Sequence, residues 1–371
     1  MTVLTARLDF HLPESLFAAR PPEARGLARD QVQLLVLDAG RRSWQHARFT
    51  DLPAFLHPGD LLVVNASQAI AASLPARHGS GPHTGLPFRI HLSTPLPPWE
   101  AQTHGLPSRE AWIVEPRTAR GIPGEPIAPG EEVDIPGPKG GALARVRFVA
   151  PYRSFARLWV AGAGAQEALL EVAARVGEPI RYPYLEGRYP IRTYQTVYGD
   201  VPGSAEMPSA GRPFSRRTLQ RLRAQGVEVA RIVLHTGVSS HEIETPLVDE
   251  QPTYPEPFEV PPATAAAVNS ARQRGGRVIA VGTTVVRALE SCASADSSVR
   301  PARGFTDLFV SPARPVRSVD GLLTGVHAPR SSHLAMLSAL VDPELLLASY
   351  EDAKSRGYLW HEFGDSNLIL R

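Results

Sequence analysis

The stretch Gly275–Ser291, GGRVIAVGTTVVRALES, limits the fold more than any other part of the chain. Val278, Ile279 and Val281 make a dry, β-branched run, and a helix-like stretch follows. Gly282, Thr283 and Thr284 stand at the junction. A strand with no polar alternation is buried on both faces, so it belongs in a mixed or parallel sheet covered by helices. Gly282 permits close backbone approach at the turn, Thr283 or Thr284 can cap the helix, and the free amides of the first turn attract negative charge. The junction is therefore either a well-capped helix start or a socket for a small anionic or polar ligand. Open α/β sheets bind ligands at such carboxyl edges.

The same logic recurs along the chain. VQLLVLDAG (Val32–Gly40) and HPGDLLVVNAS (His57–Ser67) read as strands ending in turns, and VEVARIVLH reads as another strand. Ala165, Leu169, Val172 and Val176 form one helical stripe, stopped by Gly177. A helix capped by Ser215 buries Leu219 and Leu222 and ends at Gly226. PPATAAAVNSARQRGG has proline at its entry and glycine at its exit, and Asp342, Pro343 and Gly357 bracket a last helix. Residues 74–150 differ. They are dense in Pro and Gly, with short strand-like pieces such as ALARVRFV, in which Arg145 and Arg147 alternate with Val146 and Phe148. Gly137–Gly141 reads as a hairpin loop. At 371 residues the chain exceeds a single core. The expectation is a main α/β domain of residues 1–73 and 151–371 interrupted by an all-β module at 74–150.

Charge and composition narrow the function. With 39 basic and 37 acidic side chains the net charge is +2, so contact with nucleic acid has to come from a local patch. Cys292 is the single cysteine, which excludes an internal disulfide and a cysteine metal site and fits a reducing cytosol. The start lacks a signal-peptide pattern, and no apolar run reaches the roughly 18 residues needed to span a bilayer. A cytoplasmic protein with no membrane partner is expected.

Four strand or turn exits carry hydroxyls, amides or imidazoles. They are Asn65, Ser67 and Gln68; His235, Thr236, Ser239, Ser240, His241 and Glu242; Thr324, His327, Arg330 and Ser331; and Asp365, Ser366 and Asn367. One such exit is turn chemistry; four on one scaffold suggest a pocket for a polar small molecule. His235 and His241, like His327 and His333, are six residues apart, which does not share a helical face, and no HExxH pattern occurs, so no metal is expected. The serine-hydrolase elbow, the Walker loop and the dinucleotide fingerprint are missing from the sequence. Arg212, Arg216, Arg217, Arg221 and Arg223 are either a solvated face or a phosphate contact, and Lys139, Arg145 and Arg147 offer a second basic surface.

These exits, in this order, resemble the S-adenosylmethionine:tRNA ribosyltransferase-isomerase family of the queuosine pathway. The resemblance runs nearly full length, through FHLPESLFAARP, PGDLLVVN, RTYQTVYGD, GGRVIAVGTTVVRALES, GFTDLF, HAPRSS and GYLWHEFGDSNLI. It implies an α/β barrel-like main domain with a small inserted β-barrel. It also implies transfer of the ribosyl part of S-adenosylmethionine to the aminomethyl group of a deazaguanine in tRNA, with adenine and methionine released. A base must remove the proton beside the sulfonium, and the departing adenine must be protonated or hydrogen-bonded. In that light Asn65, Ser67, Gly282, Thr283, Thr284 and Ser331 look like S-adenosylmethionine contacts, with Arg287 holding a carboxylate such as that of the methionyl part. His235 and His327 look like acid–base groups, and Asp365 looks like an acceptor for a sugar or adenine. All are expected to gather around one nucleoside.

The sequence also departs from the family pattern. Asn-Asp-Thr-Arg becomes Asn65-Ala66-Ser67-Gln68, and Pro-Thr-Ala-Gly-Leu-His-Phe becomes Pro208-Ser209-Ala210-Gly211-Arg212-Pro213-Phe214. An Arg-to-Gln or His-to-Pro change removes charge or proton-transfer capacity. Three readings stay open: the family reaction on tRNA, a divergent paralogue with a small-molecule amine acceptor or altered chemistry, and a non-catalytic binder of S-adenosylmethionine or RNA. The oligomeric state is also open.

Overall fold

The computed structural model describes residues 3–79, 83–153, 155–163, 166–238 and 243–371. Ser239, Ser240, His241, Glu242 and Ala165 lie outside the described residues. Among the described residues seventeen strands follow in chain order. The first eleven are β1 Gln33–Asp38, β2 Ser43–Arg48, β3 Leu61–Asn65, β4 Ser67–Ala69, β5 Ser73–His78, β6 Pro87–Pro95, β7 Ala111–Thr118, β8 Glu132–Pro136, β9 Ala142–Pro151, β10 Trp159–Gly162 and β11 Val201–Ser204. Then come β12 Glu228–Leu234, β13 Glu256–Val260, β14 Val278–Val281, β15 Ala302–Thr306, β16 Gly321–Gly325 and β17 Ser366–Leu370. The α-helices are α1 Pro98–Thr103, α2 Gln166–Val176, α3 Arg216–Ala224, α4 Pro262–Gln273, α5 Thr283–Glu290, α6 Ser332–Leu337 and α7 Pro343–Ser355.

Nine strands form a mixed sheet in the order β15-β13-β12-β3-β14-β16-β17-β1-β2. Its centre, β12-β3-β14-β16, is parallel throughout. The dry runs have a direct cause. Alternate residues of each central strand feed cores on opposite faces: Leu61, Val63, Val278 and Ala280 enter one, and Leu62, Val64, Ile279 and Val281 enter the other. Helices α4 to α7 cover the first face, while α3 and the turn Phe49–Phe55 cover the second.

The antiparallel strands β5 to β10 close into a six-stranded barrel, ordered β10-β7-β6-β5-β8-β9. Val146 and Phe148 of β9 point into its core and Arg145 and Arg147 face out. Strand β10, beyond the Pro- and Gly-rich stretch, completes the closure against β9 and β7. The barrel core continues into Leu169, Val172 and Ala173 of α2.

The caps of α3 and α7 fall where the sequence places them, with Ser215 accepting from the Thr218 amide at 3.0 Å and Asp342 accepting from the Glu344 and Leu345 amides. The expected threonine cap of α5 is corrected. Gly282, at φ 95° and ψ 152°, is itself the N-cap, and no side chain among the described residues caps the helix. The glycine takes the whole turn, so Thr283 and Thr284 fall inside the first helical turn.

Candidate active site at the glycine–threonine corner

The parallel strands β12, β3, β14 and β16 bring four chain exits to one edge: His235 and Thr236, Asn65, Gly282, and Thr324 with His327. A cavity with about 290 Å3 of water-accessible space opens there. Asn65, Gly282, Thr283, Thr284, Thr324, His327 and Ser331 line it on the sheet side. Glu206 to Gly211, Tyr182, Tyr198, His361 and Glu362 complete the lining. By helix geometry the Thr283 and Thr284 amides have no acceptor within α5, so the corner presents donors.

Asn65 sets the corner's shape. Its Nδ2 donates to the Leu234 carbonyl at 2.9 Å and to Thr284 Oγ1 at 3.2 Å, and its Oδ1 accepts from the Ser67 and Leu234 amides. His327 lies flat on His333, with ring centroids 4.6 Å apart, and its Nε2 meets Thr324 Oγ1 at 2.7 Å. Burial, and then His333 and His361, hold the His327 pKa well below the usual imidazole value. Burial, helped by Arg287, lowers His333 to about 4, and burial alone takes His361 to about 4. These rings are neutral at neutral pH and act as hydrogen-bonding groups or bases. Glu362 is the opposite case. Burial raises its carboxyl to about 7, Tyr182 hydrogen-bonds it, and among the described residues its solvent-shut Oε2 has no hydrogen-bond partner. A part-protonated carboxyl and neutral imidazoles lining one cavity are suited to proton donation and acceptance within it.

The expected residues do not all reach this cavity. His235 lines neither this cavity nor its neighbour; its Nδ1 meets Ser67 Oγ at 2.8 Å, and Ser67 Oγ also meets Ser204 Oγ at 2.5 Å. The imidazole ring packs on Gly203, where a Cβ would come within 2.7 Å of it, and burial lowers its pKa to about 4. Asp365 is also away from the cavity. Its two oxygens accept the Gln33 and Leu359 amides, each at 2.7 Å, tying β1 to the turn before β17. Arg287 lines a smaller adjoining cavity of about 100 Å3, which shares Thr236, Thr283, Thr284 and His333 with the larger one. It donates to the Leu308 and Thr306 carbonyls and pairs with Glu256, so the carboxylate it holds is the protein's own. The residues expected around one nucleoside thus line two adjoining cavities that share the threonines, while Ser67, His235 and Asp365 line neither. Arg212 is likewise no part of an exposed basic face: it is 2% exposed, pairs with Glu23 and lies 5.0 Å over the Phe363 ring.

Sequence reasoning missed Glu206, Tyr182, Tyr198 and Glu362. Glu362 stands inside HEFGDSN, where the aspartate drew attention, and nothing in its spacing marks a carboxyl that turns inward. Among the described residues no group of three or more His, Cys, Asp or Glu side chains is arranged to hold a metal ion.

A parallel-centred α/β sheet with a polar cavity at its carboxyl edge defines an enzyme that handles a small polar substrate. The family model described as "Queuosine biosynthesis protein" matches residues 5–369. The chain belongs to that family. It is 38% identical over 98% of both chains to an S-adenosylmethionine:tRNA ribosyltransferase-isomerase of Moorella thermoacetica, and 37% identical to the one of Sorangium cellulosum, over 98% of this chain and 97% of that one. The crystal structure of an S-adenosylmethionine tRNA ribosyltransferase from Thermotoga maritima resembles it with a TM-score of 0.52 and 27% identity, covering 98% of this chain and all of the other.

Proposed function

We propose that the chain transfers the ribosyl part of S-adenosylmethionine to an amine on tRNA in queuosine biosynthesis, releasing adenine and methionine. Full-length family membership carries the reading, and the corner cavity supplies a place for it. The first-turn amides of α5 and the Thr283 and Thr284 hydroxyls orient polar atoms of the nucleoside. His327 and His333, neutral and stacked, accept a proton or a hydrogen bond. Glu362, lining the same cavity, delivers a proton to the leaving base. Arg287 is a positioning residue that keeps Glu256 in place, and His235 and Asp365 hold the strand exits. The two-part organisation, a main α/β unit of barrel-like curvature interrupted by a β-barrel module, belongs to the same reading, with S-adenosylmethionine as co-substrate and the cytoplasm as the site of action. No helix among the described residues is long and apolar enough to cross a membrane.

Mass spectrometry of S-adenosylmethionine after incubation with the protein tests this. Adenine and methionine appear when deazaguanine-containing tRNA is present and not without it. Release with a small amine and no tRNA would instead support the divergent paralogue. Binding without product under any acceptor would leave a non-catalytic binder.

A further inference from the structure

A second, larger opening lies where the barrel meets the main unit. It has about 620 Å3 of water-accessible space, and five arginines line it: Arg89, Arg117, Arg120, Arg181 and Arg188. Among its described lining residues Glu178 is the only carboxylate, and it is shared between Arg89 at 3.3 Å and Arg188 at 3.1 Å. Glu115, behind the wall, takes Arg117 at 2.7 Å. Guanidiniums therefore outnumber carboxylates in a chain whose net charge is only +2. Among the described residues, two buried nitrogens in the wall, Arg117 Nε and His91 Nδ1, have no hydrogen-bond partner, and His91 Nδ1 lies 3.9 Å from Glu115 Oε2. His91 is 3% exposed, and burial followed by Arg117, Arg89 and Arg157 lowers its pKa to about 3, so it adds hydrogen-bonding capacity without charge. A surplus of guanidiniums lining one open cleft asks for an anionic oxygen ligand.

The cleft adjoins the corner cavity. Tyr182 lines both openings, and Tyr182 and Tyr194 line a small cavity between them together with Glu206 and Met207. Tyr182, Tyr189 and Tyr194 put aromatic rings beside the guanidiniums. Arginines for phosphates with aromatic faces for bases form the pattern that holds single-stranded nucleic acid. We propose that this arginine cleft carries the backbone phosphates of the RNA strand whose modified base enters the corner cavity past Tyr182. The inference rests on tRNA being the acceptor.

Fluorescence anisotropy with a labelled anticodon stem–loop RNA, titrated with KCl, tests it. Arg120 is exposed and the Arg188 side chain is 77% exposed, so Arg120→Ala/Arg188→Ala leaves the fold in place, as a thermal melt checks. The double variant binds the RNA about tenfold or more weakly, and its plot of log affinity against log salt is shallower by about 1–2. Arg216→Ala/Arg217→Ala, on the exposed first turn of α3, serves as the contrast and moves neither quantity. The cleft is overturned if Arg120→Ala/Arg188→Ala binds like the parent, or if the α3 pair weakens binding in its place. Should the parent protein turn over S-adenosylmethionine with tRNA while the cleft variant binds normally, the cleft alone fails. Should the parent neither bind the RNA nor respond to tRNA, the acceptor reading fails and takes the cleft with it.

Discussion

Asn65 answers to physics before function. Buried at 2% exposure, it pairs the Ser67 and Leu234 amides and the Leu234 carbonyl with one side chain. Asn65→Ala strands those groups, and a buried unmade hydrogen bond costs about 1–3 kcal/mol each. The expected loss is about 2–4 kcal/mol in urea unfolding; an unchanged midpoint would remove Asn65 as the organiser of the corner. Glu362 gives a prediction of opposite kind. Its folded pKa, near 7, lies above the unfolded value of 4.5, so the folded state holds the proton longer. The stabilisation it brings is whole below about pH 4.5 and drains away as the pH climbs through 7. Glu362→Gln keeps the shape and lacks the titration. The melting temperature of the parent should therefore fall relative to that of Glu362→Gln between pH 4.5 and 8, and parallel curves would show that the carboxyl is solvated.

Between elements, the Arg287–Glu256 pair joins α5 to β13 and to the segment after β15. Glu256 is 1% exposed and also accepts the Gly237 amide at 2.7 Å, so removing the guanidinium leaves a charge with nowhere to go. Arg287→Met should cost about 3–5 kcal/mol, and Arg287→Met/Glu256→Gln should recover much of it. Equal losses in single and double variants, measured by denaturant unfolding, would show that packing rather than charge dominates. At the corner itself, Gly282→Ala forces a Cβ into φ 95° within 3.4 Å of the Ala210 Cβ, at about 1–3 kcal/mol. These elements also show what a sequence can disclose. The β14–α5 junction was legible because burial on both faces erases polar alternation, and the caps of α3 and α7 were legible because capping is local. The roles of Arg287, His235 and Asp365 were not. A polar side chain after a strand looks the same whether it faces a cavity or ties down backbone behind it, and only the partners Glu256, Ser67 and Gln33, distant in sequence, decide. Strand β10 was hidden for a related reason: its four residues close the barrel by pairing with β7 and β9, and carry no periodicity of their own.

At the scale of the molecule, the corner cavity draws its lining from residues spread between Asn65 and Glu362. It rests on four strands whose side chains fill the cores on both faces of the main sheet. The barrel is not energetically apart, because its core includes Leu169 and Val172 of α2 together with Ala205 and Val238, neighbours of the cavity wall. A ligand at the corner therefore bears on both cores. Any ligand bound only by the folded state stabilises it by about 2.7 kcal/mol at a concentration a hundred times its Kd. For a chain of this size that is roughly 3–4 °C. Calorimetry with S-adenosylmethionine at such a concentration should move one transition upward as a whole. Two transitions, with the ligand shifting one and leaving the other in place, would show that the barrel melts independently and that α2 and the Ala205–Val238 contacts do not couple it to the site.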